Sequence, residues 1–255
     1  MATVNELFEN LNELAPVSLK MDFDNVGLLV GNGQNKVTKC LIALDITNDV
    51  IDEAINIGAE LIVSHHPIIF TPQKSVLEDD IVGSKLYKLI KNNISAICMH
   101  TNLDIAEGGV NDALMAALQC PVSGVLDVDG CGRVGEYDRE IAFDEFLSFC
   151  KEKLNTKGLR YFYAGKPVKK LAVMGGSGGS SVVTAAQKGF DTYVTADVKY
   201  NNFLDAKELG INLIDADHFC TENVIVPVIK NCLSAAFKDV EFSISGRHGQ
   251  TVSFA

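Results

Sequence analysis

Lys39-Cys40-Leu41-Ile42-Ala43-Leu44-Asp45 is a short apolar run that ends on an acid. A compact apolar run between polar neighbours reads as a buried strand. A helix-like stretch follows at Asp49–Ile57, then Gly58, then a second β-rich run, Leu61–Val63, which leads into Ser64-His65-His66-Pro67. Strand, helix, glycine, strand is the cadence of a βαβ unit, and it sets the expected fold class as α/β. The cadence continues with a helix-like Val82–Lys91, a strand-like Ala96–Met99 and a helix-like Val110–Leu118.

The same order recurs in the second half. Lys170-Leu171-Ala172-Val173-Met174-Gly175 repeats the pattern of the first run. It is followed by a helix-like Ser181–Lys188, Gly189, a strand-like Tyr193–Thr195, a helix-like Phe203–Leu209 and Leu213–Ile214. The third strand of each half runs into polar residues, His100-Thr101-Asn102-Leu103-Asp104 in one and Asp215-Ala216-Asp217-His218 in the other. Two similar α/β halves with mixed sheets flanked by helices are therefore expected, 1–127 and 128–255, divided near the Gly/Asp-rich Asp127–Gly135. The C-terminal helix and strand are left free to pack back on the first half. Ahead of all this, Val4, Leu7, Phe8, Leu11 and Leu14 carry helical spacing, Thr3 and Glu6 have capping-box spacing, and Pro16 ends the helix.

Composition bounds the function. The chain has 255 residues and a formal net charge of −11. That length buries a substantial core without disulfides. An acidic balance with no basic run lacks the footprint of a duplex nucleic-acid binder. Apolar stretches such as Val224–Ile229 are far shorter than the ~20 residues of a spanning helix, so no membrane partner is expected. The first residues show no basic segment followed by an apolar core. Seven cysteines, an odd number with no C-x-x-C pair, fit a reduced, cytoplasmic protein with buried thiols.

The chemistry gathers where strands end. Four of the five histidines, His65, His66, His100 and His218, stand at the ends of β-rich runs, and His248 lies in a Gly-flanked turn near the C-terminus. Open α/β sheets place ligands at the carboxyl ends of their strands. Two adjacent histidines before Pro67 diverge if the chain stays extended, so they suit two different ions better than one. Taken singly, two hydrogen-bonded histidines at a loop explain that pair, and Asp104, read as a strand-end acid, suits a cap or turn. His218 and Glu222 share one face if a helix starts early, and Thr221 reads as a cap. Together, His65, His66, Asp104, His218 and Glu222 supply five imidazole or carboxylate donors, a set that suits Zn, Fe, Mn, Co or Ni over Ca or Mg. His100 reads as a partner that orients a ligand or binds substrate. Cys220 reads as a buried apolar residue. The run Met174-Gly175-Gly176-Ser177-Gly178-Gly179-Ser180-Ser181 suits either an anion on backbone N–H groups or a tight strand-to-helix connection.

Asp24-Asn25-Val26-Gly27-Leu28-Leu29-Val30-Gly31, Ser64-His65-His66-Pro67-Ile68-Ile69-Phe70, His100-Thr101-Asn102-Leu103-Asp104 and Asp217-His218-x-x-Thr221-Glu222 resemble blocks of the GTP cyclohydrolase I type 2 homologues, the YbgI-like or NIF-three-like proteins. Gly175–Gly178 and Val194-Thr195-Ala196-Asp197 resemble further blocks, so the likeness spans the chain in order, in the short form without an inserted middle domain. The resemblance implies a NIF-three-like fold assembled as a ring-shaped homohexamer. It implies two divalent metal ions per chain on His65, His66, Asp104, His218 and Glu222, with Glu222 bridging. It also implies a metal-dependent hydrolase that acts on a nucleotide-like or phosphate-containing small molecule through a metal-bridging hydroxide. A non-catalytic metal-binding, metal-delivery or scaffold protein is the alternative. The sequence departs from the family pattern at Asp197, Asn201 and Asp217, where Glu, His and Gly are common.

Overall fold

The computed structural model describes residues 2–254. It opens with β1 (Ala2–Thr3), α1 (Val4–Leu14) and a 3-10 turn, then β2 (Gly27–Val30), β3 (Lys36–Val37), β4 (Lys39–Ala43), α2 (Asn48–Ile57) and β5 (Leu61–Ser64). Next come α3 (Ile81–Lys91), β6 (Ser95–Cys98), α4 (Thr101–Ile105), α5 (Val110–Ala117), β7 (Val122–Val125), β8 (Arg133–Ile141), α6 (Phe143–Lys153) and β9 (Arg160–Phe162). The rest is β10 (Val168–Val173), a second 3-10 turn, α7 (Val182–Gln187), β11 (Thr192–Thr195), α8 (Tyr200–Leu209), β12 (Asn212–Asp215), α9 (His218–Glu222), α10 (Ile225–Ala236) and β13 (Glu241–Ile244). The α/β class is as expected. The chain forms two compact units, Met1–Ala106 with Val226–Gly249, and Glu107–Ile225 with Gln250–Ala255. α5 and β7, which precede the expected boundary at 127/128, group with the second unit.

The first unit is built on a five-stranded sheet in the order β13-β4-β5-β6-β2. β4, β5 and β6 run parallel, β13 joins β4 in parallel, and β2 closes the other edge antiparallel to β6. All four residues of β5 and of β6 are buried, as expected of parallel strands covered on both faces. Val50, Ile51 and Ala54 of α2 and Leu86 and Leu89 of α3 pack with Leu41, Ala43, Ile62, Ala96 and Cys98. Alternation along each strand sends those residues to one face and Cys40, Ile42, Leu61 and Val63, also fully buried, to the other.

The second unit holds a six-stranded sheet, β7-β8-β10-β11-β12-β9. Its centre, β10, β11 and β12, is parallel, while β8 and β9 flank it antiparallel. Leu114 and Met115 of α5 and Phe146 and Cys150 of α6 pack with Leu171, Val173, Val194 and Ile214. Val182 and Ala185 of α7 and Ala206 of α8 pack with Ala172, Tyr193 and Leu213 on the opposite face. Each unit therefore contains three successive parallel strands with an antiparallel strand beside the third. The repeated cadence of the sequence is a repeated topology.

Candidate metal centre

In the first unit, β5 ends at Ser64 and the chain turns at once. The Ser64 hydroxyl donates to the His66 carbonyl at 2.8 Å, and the His66 N–H donates to the Leu44 carbonyl at 3.0 Å. This turn keeps both imidazoles at the strand end, with ring centroids 5.0 Å apart. His65 is fully buried, and its Nδ1–H donates to the Met99 carbonyl at 2.8 Å. A carbonyl only accepts, so this bond fixes the tautomer. His65 Nε2 stands 3.6 Å from Asp104 Oδ1. His66 Nδ1 meets Asp45 Oδ1 at 2.7 Å.

His100 follows β6 and completes a triad. One donor atom from each of His65, His66 and His100 lies within 4.8 Å of the others. Its Nδ1 meets Asp24 Oδ1 at 2.8 Å, and Asp24 Oδ2 accepts the Thr101 N–H at 3.0 Å and the Thr101 hydroxyl at 2.5 Å. Burial alone would raise the Asp24 carboxyl, but His100 and Thr101 outweigh it and hold that carboxyl well below the usual carboxylate range. Asp104, expected at a strand end, lies instead in the short helix α4, whose first turn the Thr101–Asp24 contacts anchor.

In the second unit, His218 and Glu222 open and close the five-residue α9, with Nε2 and Oε2 2.9 Å apart. His218 Nδ1 meets Asp197 Oδ2 at 2.8 Å. Burial disfavours the charged imidazole, yet Glu222 and Asp197 together raise its pKa to about 9. Thr221, expected as the cap, lies inside α9. Asp217 caps α9, accepting the Cys220 N–H at 3.1 Å and a bond from the Gln250 side-chain amide. The Thr221 hydroxyl sits inside, donating to the His218 carbonyl and accepting the Gly176 N–H, both at 3.0 Å. Asp217 has φ +74°, in the region that favours glycine, which is the residue common there in the family pattern. Cys220 is buried, and burial pushes its thiol up to about 11.

The glycine run serves α9. Gly176 has φ +63°, and a Cβ there would overlap the Glu222 carboxylate. The Gly175 N–H donates to Asn111 Oδ1 at 2.9 Å, and the N–H groups of Gly178 and Ser181 bond within the loop at 3.0 Å. Those donors are already engaged, so the anion reading loses them; close approach to Glu222 explains Gly176, and close approach to Thr195 and Tyr193 explains Gly178. The sequence reading missed Asp24, Asp45 and Asp197 as imidazole partners. Their signal was faint, since Asp45 and Asp197 stand two residues past a strand and Asp24 stands three before one, where a lone acid looks like any loop acid.

The residues fit a divalent ion on the evidence of the imidazoles. His65, His66, His100 and His218 each turn Nδ1 to a carbonyl or carboxylate oxygen, the setting in which a ligating imidazole binds through Nε2, and Nε2 of His65 and of His218 faces the carboxylate of Asp104 and of Glu222 respectively. His248 differs. Its Nδ1 accepts the Leu44 N–H at 3.2 Å, so it holds the backbone beside Asp45.

A family profile described as Duf34/NIF3 (NGG1p interacting factor 3) matches residues 2–249. The chain belongs to the Duf34/NIF3 family. A GTP cyclohydrolase 1 type 2 homolog of Clostridium perfringens is 39% identical over 252 residues, 95% of each chain. A Helicobacter pylori protein named GTP cyclohydrolase 1 type 2 is 34% identical, covering 91% of this chain and 92% of its own. Among solved structures, a Bacillus cereus protein related to NIF3 superposes with a TM-score of 0.93 at 26% identity, over 100% of this chain and 99% of its own. Reduced HcgD from Methanocaldococcus jannaschii gives 0.84 at 33% identity, over 95% of this chain and 97% of its own. These likenesses establish the NIF3 fold for this chain. Among the described residues, no helix is long and apolar enough to cross a membrane.

Proposed function

We propose that His65, His66, Asp104, His218 and Glu222 of this Duf34/NIF3 chain bind two divalent ions and that the centre hydrolyses a nucleotide-like substrate. The observation that carries the reading is the common setting of the imidazoles, each with Nδ1 held by an oxygen, while Nε2 of His65 and of His218 faces the carboxylate of Asp104 and of Glu222 respectively. Bound there, two divalent ions supply Lewis acidity and lower the pKa of a coordinated water toward ~7. The residues do the rest. Asp45 and Asp197 hold the His66 and His218 rings in one tautomer and one orientation. Glu222, nearly buried and with two carboxylate oxygens, is the residue suited to serve both ions. Gly176 and Thr221 fix the helix that carries it. The name of the Helicobacter pylori relative supports a purine nucleotide as the first substrate to try.

Metal content per chain tests the centre. Natively purified protein should carry two divalent ions, Glu222→Ala should lose both, and His65→Ala or His66→Ala should lose mainly one. Two ions retained in folded Glu222→Ala would defeat the bridging role. Turnover of GTP and a panel of phosphoesters, each compared with Glu222→Ala, tests the hydrolase. Tight metal binding with no turnover across the panel would favour a metal-binding or delivery role. The ring-shaped homohexamer remains part of the proposal, to be checked by the mass in solution.

A further inference from the structure

The two units repeat each other at the end of the third parallel strand. In the first, β6 leads to His100 and the five-residue α4, with Asp104 four residues after the histidine. In the second, β12 leads to His218 and the five-residue α9, with Glu222 four residues after the histidine. The support is repeated too. His100 Nδ1 meets Asp24 at 2.8 Å, and His218 Nδ1 meets Asp197 at 2.8 Å. Asp104, Glu222 and His218 already belong to the proposed ligand set, and His100 is the one member of this repeat left outside it.

We infer that His100 is a sixth ligand of the metal centre, the counterpart of His218, and that Asp24 orients it. The inference rests on the proposed metal-binding reading and extends it. Three observations support it. The donor atoms of His100, His65 and His66 lie within 4.8 Å of one another. The His100 ring packs edge-on to both neighbours, with centroids 5.2 and 5.6 Å apart. Its partner Asp24 has a side chain with no exposure and is tied down by Thr101, so the ring is held by a rigid carboxylate and does not hang on a mobile loop. A carboxylate–histidine–metal relay of this kind fixes the tautomer and strengthens the donor. A histidine kept only for packing would not need a buried carboxylate on Nδ1 and a donor atom within 4.8 Å of donor atoms on two ligand imidazoles.

Cobalt(II) reports on this without any assay of activity. An imidazole bound to high-spin cobalt through Nε2 carries an Nδ1 proton whose resonance is exchangeable and shifted far outside the ordinary range. Cobalt-loaded wild-type protein should show four such signals, from His65, His66, His100 and His218. His100→Gln should remove one signal, keep the other three and weaken cobalt binding by at least about ten-fold. Asp24→Asn should shift the same signal while leaving the others in place. Three signals in the wild type, all retained in His100→Gln with unchanged affinity, would overturn the inference while leaving the five-residue centre intact. A wild type that binds no cobalt and no other divalent ion would overturn both. The wild-type count decides the matter even where a variant fails to fold.

Discussion

Gly176 shows how a single backbone position governs the chemistry next to it. Its φ of +63° and the Glu222 carboxylate against its Cα leave no room for a side chain. Gly176→Ala should therefore cost about 1–3 kcal/mol in urea unfolding and lower the metal content of the folded fraction. A folded variant with wild-type metal content would show that the loop yields instead. His248 makes a different residue-level prediction, about pH. Burial holds its imidazole below the ordinary 6.5, although Asp45 and Glu53 pull the other way. Its Nδ1 accepts the Leu44 N–H, which requires that nitrogen to be unprotonated. The unfolded chain takes up this proton near 6.5 and the folded chain resists it. The stabilisation is thus complete above 6.5 and declines as the pH falls from there toward the lower folded value. His248→Asn keeps an acceptor without the ionisation. Denaturation midpoints measured from pH 7 to 5 should fall less steeply in this variant, and an identical slope would remove His248 as the source.

Elements differ in how plainly the sequence announced them. Helix α1 was legible, because its apolar stripe and the Thr3–Glu6 capping box are both present in the structure. Thr3 accepts the Glu6 N–H and Glu6 returns a bond to the Thr3 N–H. Thr3→Ala should cost about 1 kcal/mol, read from the shift in urea midpoint at constant slope. The parallel strands were legible as well, since burial on both faces makes each a compact apolar run. β8 was not, because Arg133–Ile141 mixes charged and apolar residues and pairs along two neighbours with bulges on both sides. Helix α4 was not legible, and α9 only as a helix starting early enough to put His218 and Glu222 on one face, for a different reason. Five residues span little more than one turn, too few to show a period, so Asp104 looked like the end of a strand and Thr221 like a cap. The candidate ligands were still legible, because imidazole and carboxylate after an apolar run need no helix to be noticed. Their carboxylate partners were not, since Asp24 and Asp197 reach His100 and His218 across 76 and 21 residues of chain.

Over the whole molecule, the cysteines report how firmly the two units are closed. None of the seven is in a disulfide, six are buried, and Cys232 on α10 is partly exposed. Burial pushes the thiols of Cys98, Cys120 and Cys220 up to about 11, and those of Cys40 and Cys150 higher still. The thiolate is the reactive form, so burial limits access to all six at neutral pH, and ionisation protects Cys40, Cys98, Cys120, Cys150 and Cys220 further. The six are spread across both sheets, with Cys40 and Cys98 on β4 and β6 and Cys150 on α6. Their reaction must therefore follow local or global opening of the unit that holds each one. A thiol reagent at pH 7.5 should label about one cysteine quickly in the native protein, and mass mapping should place it at Cys232. In denaturant without reductant the count should rise to seven, as the odd number without paired spacing implies. Slow labelling that follows urea concentration would give the opening free energy of each unit separately, from Cys40 for the first and Cys150 for the second. Rapid native labelling of Cys40 or Cys150 would show that the sheets are not closed in solution, and a denatured count well below seven would show a disulfide that the fold does not contain.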